Sequence, residues 1–403
     1  NPEKNVEINF KPELNLDDII FASVFRESDK YYLKGSRAIG LIVTDKSNNH
    51  RFLNKKAINL AELIGGPIRY RTDIGGLKIT YQNCGVNINE VTETLDLVKD
   101  KIKSSHNNNV ISNYGGFGGL VTLDNITELG HNTLVTTIDG VGTKTSFLPE
   151  ILGDMAYFIM GQDIVGHCIN DILVQNAKPL FFMDYIASSK LDGTKMKFII
   201  DGMVDVCKKH DCVLIGGETA EMPGVYKDNA YDIVGTMIGS VIKNQIIDGR
   251  SNVKNGDIVL SLPSNNIHTN GYTMIRKIFE YNDITEEPDL MDWMSKPHKP
   301  YYNEITTILN NNIDIHALCH ITGGGLIDNP PRVLPDNFKM IIDYSYQNNP
   351  MFQRIKELGD ISDEEMFRTF NCGIGMMIIV DPKDEQVITR LMFDTYDINC
   401  TRC

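Results

Sequence analysis

IDGVGTK at 138–144 and GQDIVGHCINDILVQNAKP at 161–179 are the stretches on which the reading of this chain turns. LVTTID (134–139) is an apolar run with the period of a strand, and it empties into a glycine loop. DIVGHCINDILVQN (163–176) reads as a helix. Asp163, His167, Asn170 and Asp171 recur there at helical spacings, and eight residues put Asp163 and Asp171 within about 80° on the helix. Asp139, Asp163 and Asp171 stand among Leu134, Val135, Ile138, Ile164, Val165, Ile172 and Leu173. Carboxylates are rarely enclosed unless paired or bound to a metal. A helix N-cap accounts for Asp163 alone and leaves Asp171, deep in an apolar helix, unexplained. Three acids beside glycine loops and Lys144 point to a magnesium–polyphosphate site, in which oxygen ligands suit the hard cation and backbone N–H groups suit phosphates. His167 reads as a packed or hydrogen-bonded side chain.

Outward from this centre, strands and amphipathic helices alternate from 113 to 245. PLFFMDYIA (179–187) and CVLIGGE (212–218) read as strands, and TKMKFIIDGMVDVCKKH (194–210) as a helix. GGETAEMPG (216–224) offers Glu218 as a fourth carboxylate after two glycines, and GGFGGL (115–120) is a further glycine loop. A second α/β unit begins near 246 with the strand IVLSLP (258–263). It carries two loops that precede helices: Ser264, His268, Thr269 and Asn270 in LPSNNIHTNGY, and Thr322 with Gly323, Gly324 and Gly325 in HITGGGL. Helix starts of this kind present free N–H groups to a phosphate, and a loop histidine suits acid–base work near neutral pH. His316 and His320 are four apart but lack the glutamate of H-E-x-x-H, so the pair is not read as a zinc motif. The expected fold class is α/β (α+β): two domains, each a mixed sheet packed with helices, at 79–245 and 246–403.

Composition removes several alternatives. A net charge of −14 argues against nucleic-acid binding. No apolar run reaches the roughly 18 residues of a membrane span, and the first residues lack a signal-peptide core. Eight cysteines scattered at 84, 168, 207, 212, 319, 372, 400 and 403 make no disulfide framework, so a reduced, cytoplasmic compartment is expected. Cys400 and Cys403 form one C-x-x-C without a second pair. Walker A spacing, G-x-G-x-x-G and the protein-kinase signatures are all absent, so any ATP site must be built differently.

Residues 1–78 read as a separate, β-rich packing module. FASVFRES, KYYLKGSRAIGLIVTD and PIRYRTDIG are its expected strands and AINLAELI its short helix. Further on, Val91, Leu95, Val98 and Ile102 predict a helix that carries Lys99.

Two resemblances follow from these motifs. GSRAIG (35–40) and GPIRYRTDIG (66–75) resemble the C-terminal end of glycinamide ribonucleotide synthetase, without that enzyme's ATP-binding body. YQNCGVNIN, NYGGFGGL, DGVGTK, CINDILVQNAKPLFFMDYIA, GGETAEMPGVY, HTNGY, HITGGGLIDNPPRVLP and DEEMFRTFNCGIGM, in this order from about 79 to the end, closely resemble phosphoribosylformylglycinamidine cyclo-ligases. Sister families (selenophosphate synthetase, thiamine monophosphate kinase, formylglycinamidine ribonucleotide synthetase) share the carboxylate pattern but not GGETAEMPG with FRTFNCGIGM.

The resemblance implies ATP-dependent ring closure of formylglycinamidine ribonucleotide in purine biosynthesis. It implies magnesium at Asp139, Asp163, Asp171 and Glu218, with a monovalent cation as a further candidate. ATP contacts would come from Lys99, Gly116, Phe117, Gly118, Gly119, Asp139, Gly140, Gly142, Thr143 and Lys144. Ser264, Thr269, Asn270, Gly271, Thr322, Gly323, Gly324 and Gly325 would hold the ribose phosphate. His268, Asp171 and Lys144 would serve the chemistry. A homodimer paired through the first domains is implied, as is a fused purine enzyme upstream and one more strand beyond FDTYDINCTRC (393–403). The competing readings are a sister-family phosphotransferase and a non-catalytic scaffold derived from the enzyme.

Overall fold

The computed structural model describes residues 5–35, 39–41, 43, 50–71, 97–108, 110, 127, 130–343 and 349–403. The chain divides into two compact units, Asn1–Cys84 and Gly85–Cys403.

The first unit is β-rich. Strands β1 (Glu7–Phe10), β3 (Val24–Glu27), β4 (Lys30–Leu33) and β6 (Ile64–Gly65) form one sheet in the order β3-β4-β1-β6, and β2 (Ile19–Phe21) pairs with β5 (Ile39–Leu41). Helix α1 spans His50–Ala61 and begins before the expected AINLAELI. Residues 66–71 are irregular, so the described part of PIRYRTDIG is not a strand. Phe10, Phe21 and Tyr31 pack ring to ring, with centroids 5.2–5.8 Å apart.

The second unit contains two lobes. In the first, helix α2 (97–103) buries Val98 and Ile102. Strand β7 (Thr133–Gly140) leads through short α3 (Leu148–Leu152) into the long α4 (Met155–Leu173). Then come β8 (Lys178–Ser188), α5 (Gly193–Lys209), β9 (Val213–Glu221) and β10 (Tyr231–Val241). The sheet order is β7-β10-β8-β9, with only β8 and β9 parallel. Central strand β10 is the element that sequence reading passed over, because Gly235 and Gly239 interrupt its apolar pattern. Both glycines are required by packing: a Cβ at 235 would lie 2.3 Å from Phe182, and one at 239 would lie 2.6 Å from Ile172.

Helix α4 is apolar nearly all round and is the core of this lobe, with Met160, Ile164, Val165, Ile169 and Ile172 buried against Phe182, Met237, Ile199 and Met203. It starts two turns earlier than expected, so Asp163 is a mid-helix residue and not a cap. α4 and α5 approach at glycines. A Cβ at Gly161 would sit 2.0 Å from the Ile199 carbonyl, and one at Gly202 would sit 2.0 Å from the Phe158 carbonyl. Among the described residues, helices cover only one face of this sheet. On the other face Leu134 and Ile138 are 54% and 68% exposed.

The second lobe begins with α6 (Gly249–Asn252) and β11 (Ile258–Pro263). Helices α7 (Tyr272–Phe279), α8 (Pro288–Met294) and α9 (Tyr302–Asn310) follow. Next are β12 (Ile315–His320), α10 (Gly325–Asp328), α11 (Pro350–Gly359), α12 (Asp363–Thr369), β13 (Ile374–Val380), α13 (Glu385–Tyr396) and β14 (Thr401–Arg402). Its antiparallel sheet runs β12-β13-β11-β14. Every residue of β13 is buried, Met377 and Ile379 toward one core and Met376 and Ile378 toward the other. This sheet is therefore covered on both faces.

Among the described residues all seven cysteines are free and buried, Cys400 and Cys403 included. No described helix is long and apolar enough to cross a membrane.

Candidate active site

Alternation along β7 turns Val135, Thr137 and Asp139 toward α4 and leaves Leu134 and Ile138 on the outer face. Thr137 donates to Asp171 Oδ2 at 3.0 Å, and Asp139 Oδ2 lies 3.1 Å from His167 Nε2. Two carboxylates, one from a strand and one from the facing helix, thus meet at a partly open surface: Asp139 is 44% exposed and Asp171 24%. Burial works against ionising each. The His167 imidazole beside Asp139 and the His320 hydrogen bond to Asp171 outweigh it, and both carboxyls sit below their ordinary values.

Directly behind them the chemistry changes. Lys144 Nζ lies 2.8 Å from Asp163 Oδ2 and 2.9 Å from Oδ1, and neither side chain has any surface. Asp163 Oδ1 also accepts the His298 amide at 2.8 Å, and Lys144 Nζ is 3.4 Å from the His268 carbonyl. This pair ties α4 of the first lobe to two loops of the second. Burial pushes Lys144 down and Asp163 up, each opposed by the other's charge.

Four imidazoles complete the interior. His167, His268, His298 and His320 are all buried, with neighbouring ring centroids 4.0–5.2 Å apart. His320 Nδ1 lies 2.9 Å from Asp171 Oδ1. His167 Nδ1 lies 2.8 Å from Thr269 Oγ1. Burial leads in lowering His268, His298 and His320. For His167 it is outweighed by Asp139 and the fields of Asp171 and Asp163, so its pKa is raised.

The AIR synthase related protein N-terminal domain matches residues 123–241 and the AIR synthase related protein C-terminal domain matches residues 254–392. Phosphoribosylformylglycinamidine cyclo-ligase of Alkaliphilus oremlandii is 43% identical over 320 residues, covering 76% of this chain and 91% of the relative. The chain belongs to the phosphoribosylformylglycinamidine cyclo-ligase family. The cyclo-ligase of Finegoldia magna agrees, at 39% identity over 312 residues covering 76% of this chain and 90% of the relative. Solved structures share the fold at low identity. Thiamine-monophosphate kinase of Stenotrophomonas maltophilia has a TM-score of 0.53 at 14% identity, covering 76% of this chain and 91% of that one. Hydrogenase maturation protein HypE of E. coli has 0.51 at 13%, covering 76% and 90%.

Within this member of the cyclo-ligase family the expected site residues separate into groups. Asp139 and Asp171 both lie against His167, and His268 stacks on His298 in the same group of imidazoles. Asp163 does not join the other carboxylates as a ligand, because Lys144 engages both its oxygens. Lys144 is in turn enclosed, and not presented to a phosphate. Glu218 is also elsewhere. It pairs in register with Tyr185 on β9, the edge strand opposite β7, three strand spacings or roughly 14 Å across the sheet. Alternation turns it to the face away from Asp184 and Asp139, where it is exposed.

Gly142 has φ +69°, which a side chain would strain, and Thr143 Oγ1 meets Thr273 Oγ1 of α7 at 2.9 Å. Gly140 closes β7, and Lys99 is part-exposed on α2. Gly116, Phe117, Gly118 and Gly119 lie outside the described residues. Ser264 Oγ donates to Asn371 Oδ1 at 3.0 Å. Gly271, at φ +87°, caps α7, and a Cβ there would meet Phe370 at 2.4 Å. Asn270 keeps a buried amide nitrogen without a partner. Thr322 donates to Asn329 Oδ1 at 3.1 Å, and Gly323, Gly324 and Gly325 open only the four-residue α10, a shorter dipole than expected.

Sequence reading missed His298 and Asp184. His298 lies between helices in SKPHKPYY, with no periodic partner to betray it. Asp184 stands in register with Gly235 and Gly217 on the helix-facing side, where a Cβ at Gly217 would meet its Oδ1 at 2.3 Å. A glycine on each neighbouring strand was the available signal.

Proposed function

We propose that this chain closes formylglycinamidine ribonucleotide to aminoimidazole ribonucleotide with ATP, releasing ADP and phosphate. The observation that carries the reading is the Asp139–Asp171 pair, two part-exposed carboxylates held ionised beside the buried His167 and His320. In this reaction the formyl oxygen takes the γ-phosphoryl group, the amidine nitrogen attacks the formyl carbon, and phosphate departs with that oxygen. The residues present fit magnesium, since Asp139 and Asp171 offer hard oxygen donors in the charged form. Bound there, the cation would neutralise charge on the transferring phosphoryl group.

Lys99, Gly140, Gly142 and Thr143 are proposed around ATP, and Gly116, Phe117, Gly118 and Gly119 remain proposed with them. Ser264, Thr269, Asn270, Gly271, Thr322, Gly323, Gly324 and Gly325 are proposed around the ribose phosphate. His268 is proposed to hold or relay the proton leaving the amidine nitrogen, a task suited to an imidazole kept neutral by burial. The Lys144–Asp163 pair is proposed to hold that histidine's loop on α4, through the 3.4 Å contact to its carbonyl.

A second copy of the chain is proposed on the outer face of the first sheet. Leu134, Ile138 and Met183 are exposed there, and Glu218 would be carried to the interface on the same face. Residues 1–78 are proposed as a remnant of, or joint to, a fused glycinamide ribonucleotide synthetase.

The test is to incubate the purified chain with ATP, magnesium and formylglycinamidine ribonucleotide, and assay aminoimidazole ribonucleotide colorimetrically beside Asp139→Asn. Product from the wild type that falls by on the order of 10²-fold in the variant supports the reading. No product from a folded wild type that hydrolyses ATP on another acceptor would replace it with a sister-family phosphotransferase.

A further inference from the structure

We infer that His268, His298 and His320 form a binding site for a borderline divalent transition metal, with zinc as its natural probe. One nitrogen from each ring lies within 4.8 Å of the others, and all three side chains are buried. All three belong to the second lobe, on the loop before α7, the loop before α9 and the end of β12. The site therefore does not wait for a partner or for the N-terminal unit.

The surrounding hydrogen bonds fix which ring nitrogens carry protons and which carry lone pairs. Asn170 is fixed by two backbone contacts: its Oδ1 accepts the Tyr301 amide at 2.8 Å and its Nδ2 donates to the Lys299 carbonyl at 2.8 Å. The second Nδ2 hydrogen then faces His298 Nε2 at 3.2 Å, so that nitrogen is an acceptor. His298 Nδ1 keeps the proton and faces Thr269 Oγ1 at 3.4 Å. Thr269 in turn donates to His167 Nδ1, which leaves His167 Nε2–H toward Asp139. His320 gives its Nδ1–H to the Asp171 carboxylate, so its Nε2 is also a lone pair when the ring is neutral. Two acceptor nitrogens, His298 Nε2 and His320 Nε2, thus face one another at 3.1 Å. A cation between them resolves that opposition, with the one lone pair of His298 Nε2 turning from the Asn170 amide to the metal.

The third ring strengthens the assignment. His268 is fully buried and neither ring nitrogen has a hydrogen-bond partner, while its backbone is held at φ +60°. Buried polar atoms without partners are costly, and a side chain aimed inward with two of them is a ligand in waiting. Zinc–nitrogen bonds of about 2.0–2.1 Å set tetrahedral nitrogens about 3.3 Å apart, which modest ring rotation reaches from the observed spread. The outer contacts match as well. Asp171 on His320 and Thr269 on His298 orient ligand rings in the manner of carboxylate–histidine–metal chains. Lys144 with Asp163 sums to zero charge wherever their proton sits, so the pair adds no net repulsion against a cation beside it.

The binding claim stands independently of the proposed reaction, and its consequence for catalysis rests on that reaction. A metal held here takes the lone pair of His268, so zinc would inhibit by removing the proposed proton carrier. The experiment is a zinc titration of the full chain, stripped with chelator, in competition with a chromophoric chelator. One tight zinc per chain is expected, with affinity lowered at least tenfold in His298→Asn and in His320→Gln. Each variant's thermal unfolding is recorded alongside. X-ray absorption of the zinc-loaded wild type needs no variant, and three imidazole nitrogens in the inner shell are expected. An inner shell containing sulfur, an all-oxygen shell, or the absence of stoichiometric zinc would overturn the site. Should wild type and His298→Asn be inhibited equally by zinc, the link to His268 would fall while binding still stood.

Discussion

Lys144 Nζ and Asp163 Oδ2 lie 2.8 Å apart with no solvent access to either side chain, joining a glycine loop of the first lobe to the middle of its core helix. Removing one partner leaves the other charge buried and uncompensated, at a cost of about 3–5 kcal/mol. Lys144→Met and Asp163→Asn should each lower unfolding stability by that order in denaturant melts. The double variant should lose less than the sum of the two. Additive losses would show that the two groups act separately.

Asp139 and Asp171 are the exposed half of the acid cluster, and the proposed function needs their charge more than the fold does. Asp171→Asn should lower turnover by on the order of 10²-fold and shift the magnesium dependence, with circular dichroism unchanged. Glu218→Gln, on the far edge strand, should leave the magnesium dependence of an enforced monomer unaltered. A magnesium shift in that monomer would return Glu218 to the metal.

Asp184 sets a pH dependence. Burial, with Glu218's charge adding to it, pushes this carboxyl up to about 7 from an ordinary 3.8. A folded-state value above the unfolded one means that the folded state holds the proton longer. The stabilising contribution is complete below the unfolded value and is lost as pH rises through about 7. In chelator-treated protein, Asp184→Asn should therefore gain melting temperature relative to wild type between pH 5 and pH 8. Parallel melting curves across that range would contradict the assignment.

The α4–α5 contact leaves no room for a methyl group. With a Cβ at 202 set 2.0 Å from the Phe158 carbonyl, Gly202→Ala must push the helices apart. Destabilisation of about 1–3 kcal/mol is expected from equilibrium unfolding, although alanine is the better helix former. A neutral or stabilising result would mean that the helices separate at no cost.

The outer sheet face offers a test of assembly. Leu134→Glu with Ile138→Lys places charges of both signs on the exposed apolar strip, and light scattering should read a dimer in wild type and a monomer in the variant. A variant that remains dimeric would move the interface elsewhere.

The amino-acid sequence by itself determined the family, the strand–loop–helix order around 134–176 and the identity of the acids and His268. These are carried by local patterns: period-two apolar runs, period-3.6 helices and glycine at tight loops. β8, α5, β9 and β11 fell within a few residues of the sequence reading for that reason. Only the tertiary structure decided which acid meets which base. Asp163 and Asp171 share a helix face, yet one ends in an ion pair with Lys144 and the other on His320, 149 residues away. Glu218, part of the same motif set, lies on the opposite edge strand, one spacing further away because β10 inserts between β7 and β8, and alternation along β9 turns it to the opposite face. His298 had no pattern to announce it, since a loop residue acquires a role only from what folds against it. Side-chain partnership depends on which surfaces the core brings together, and that long-range pairing leaves little trace in local spacing.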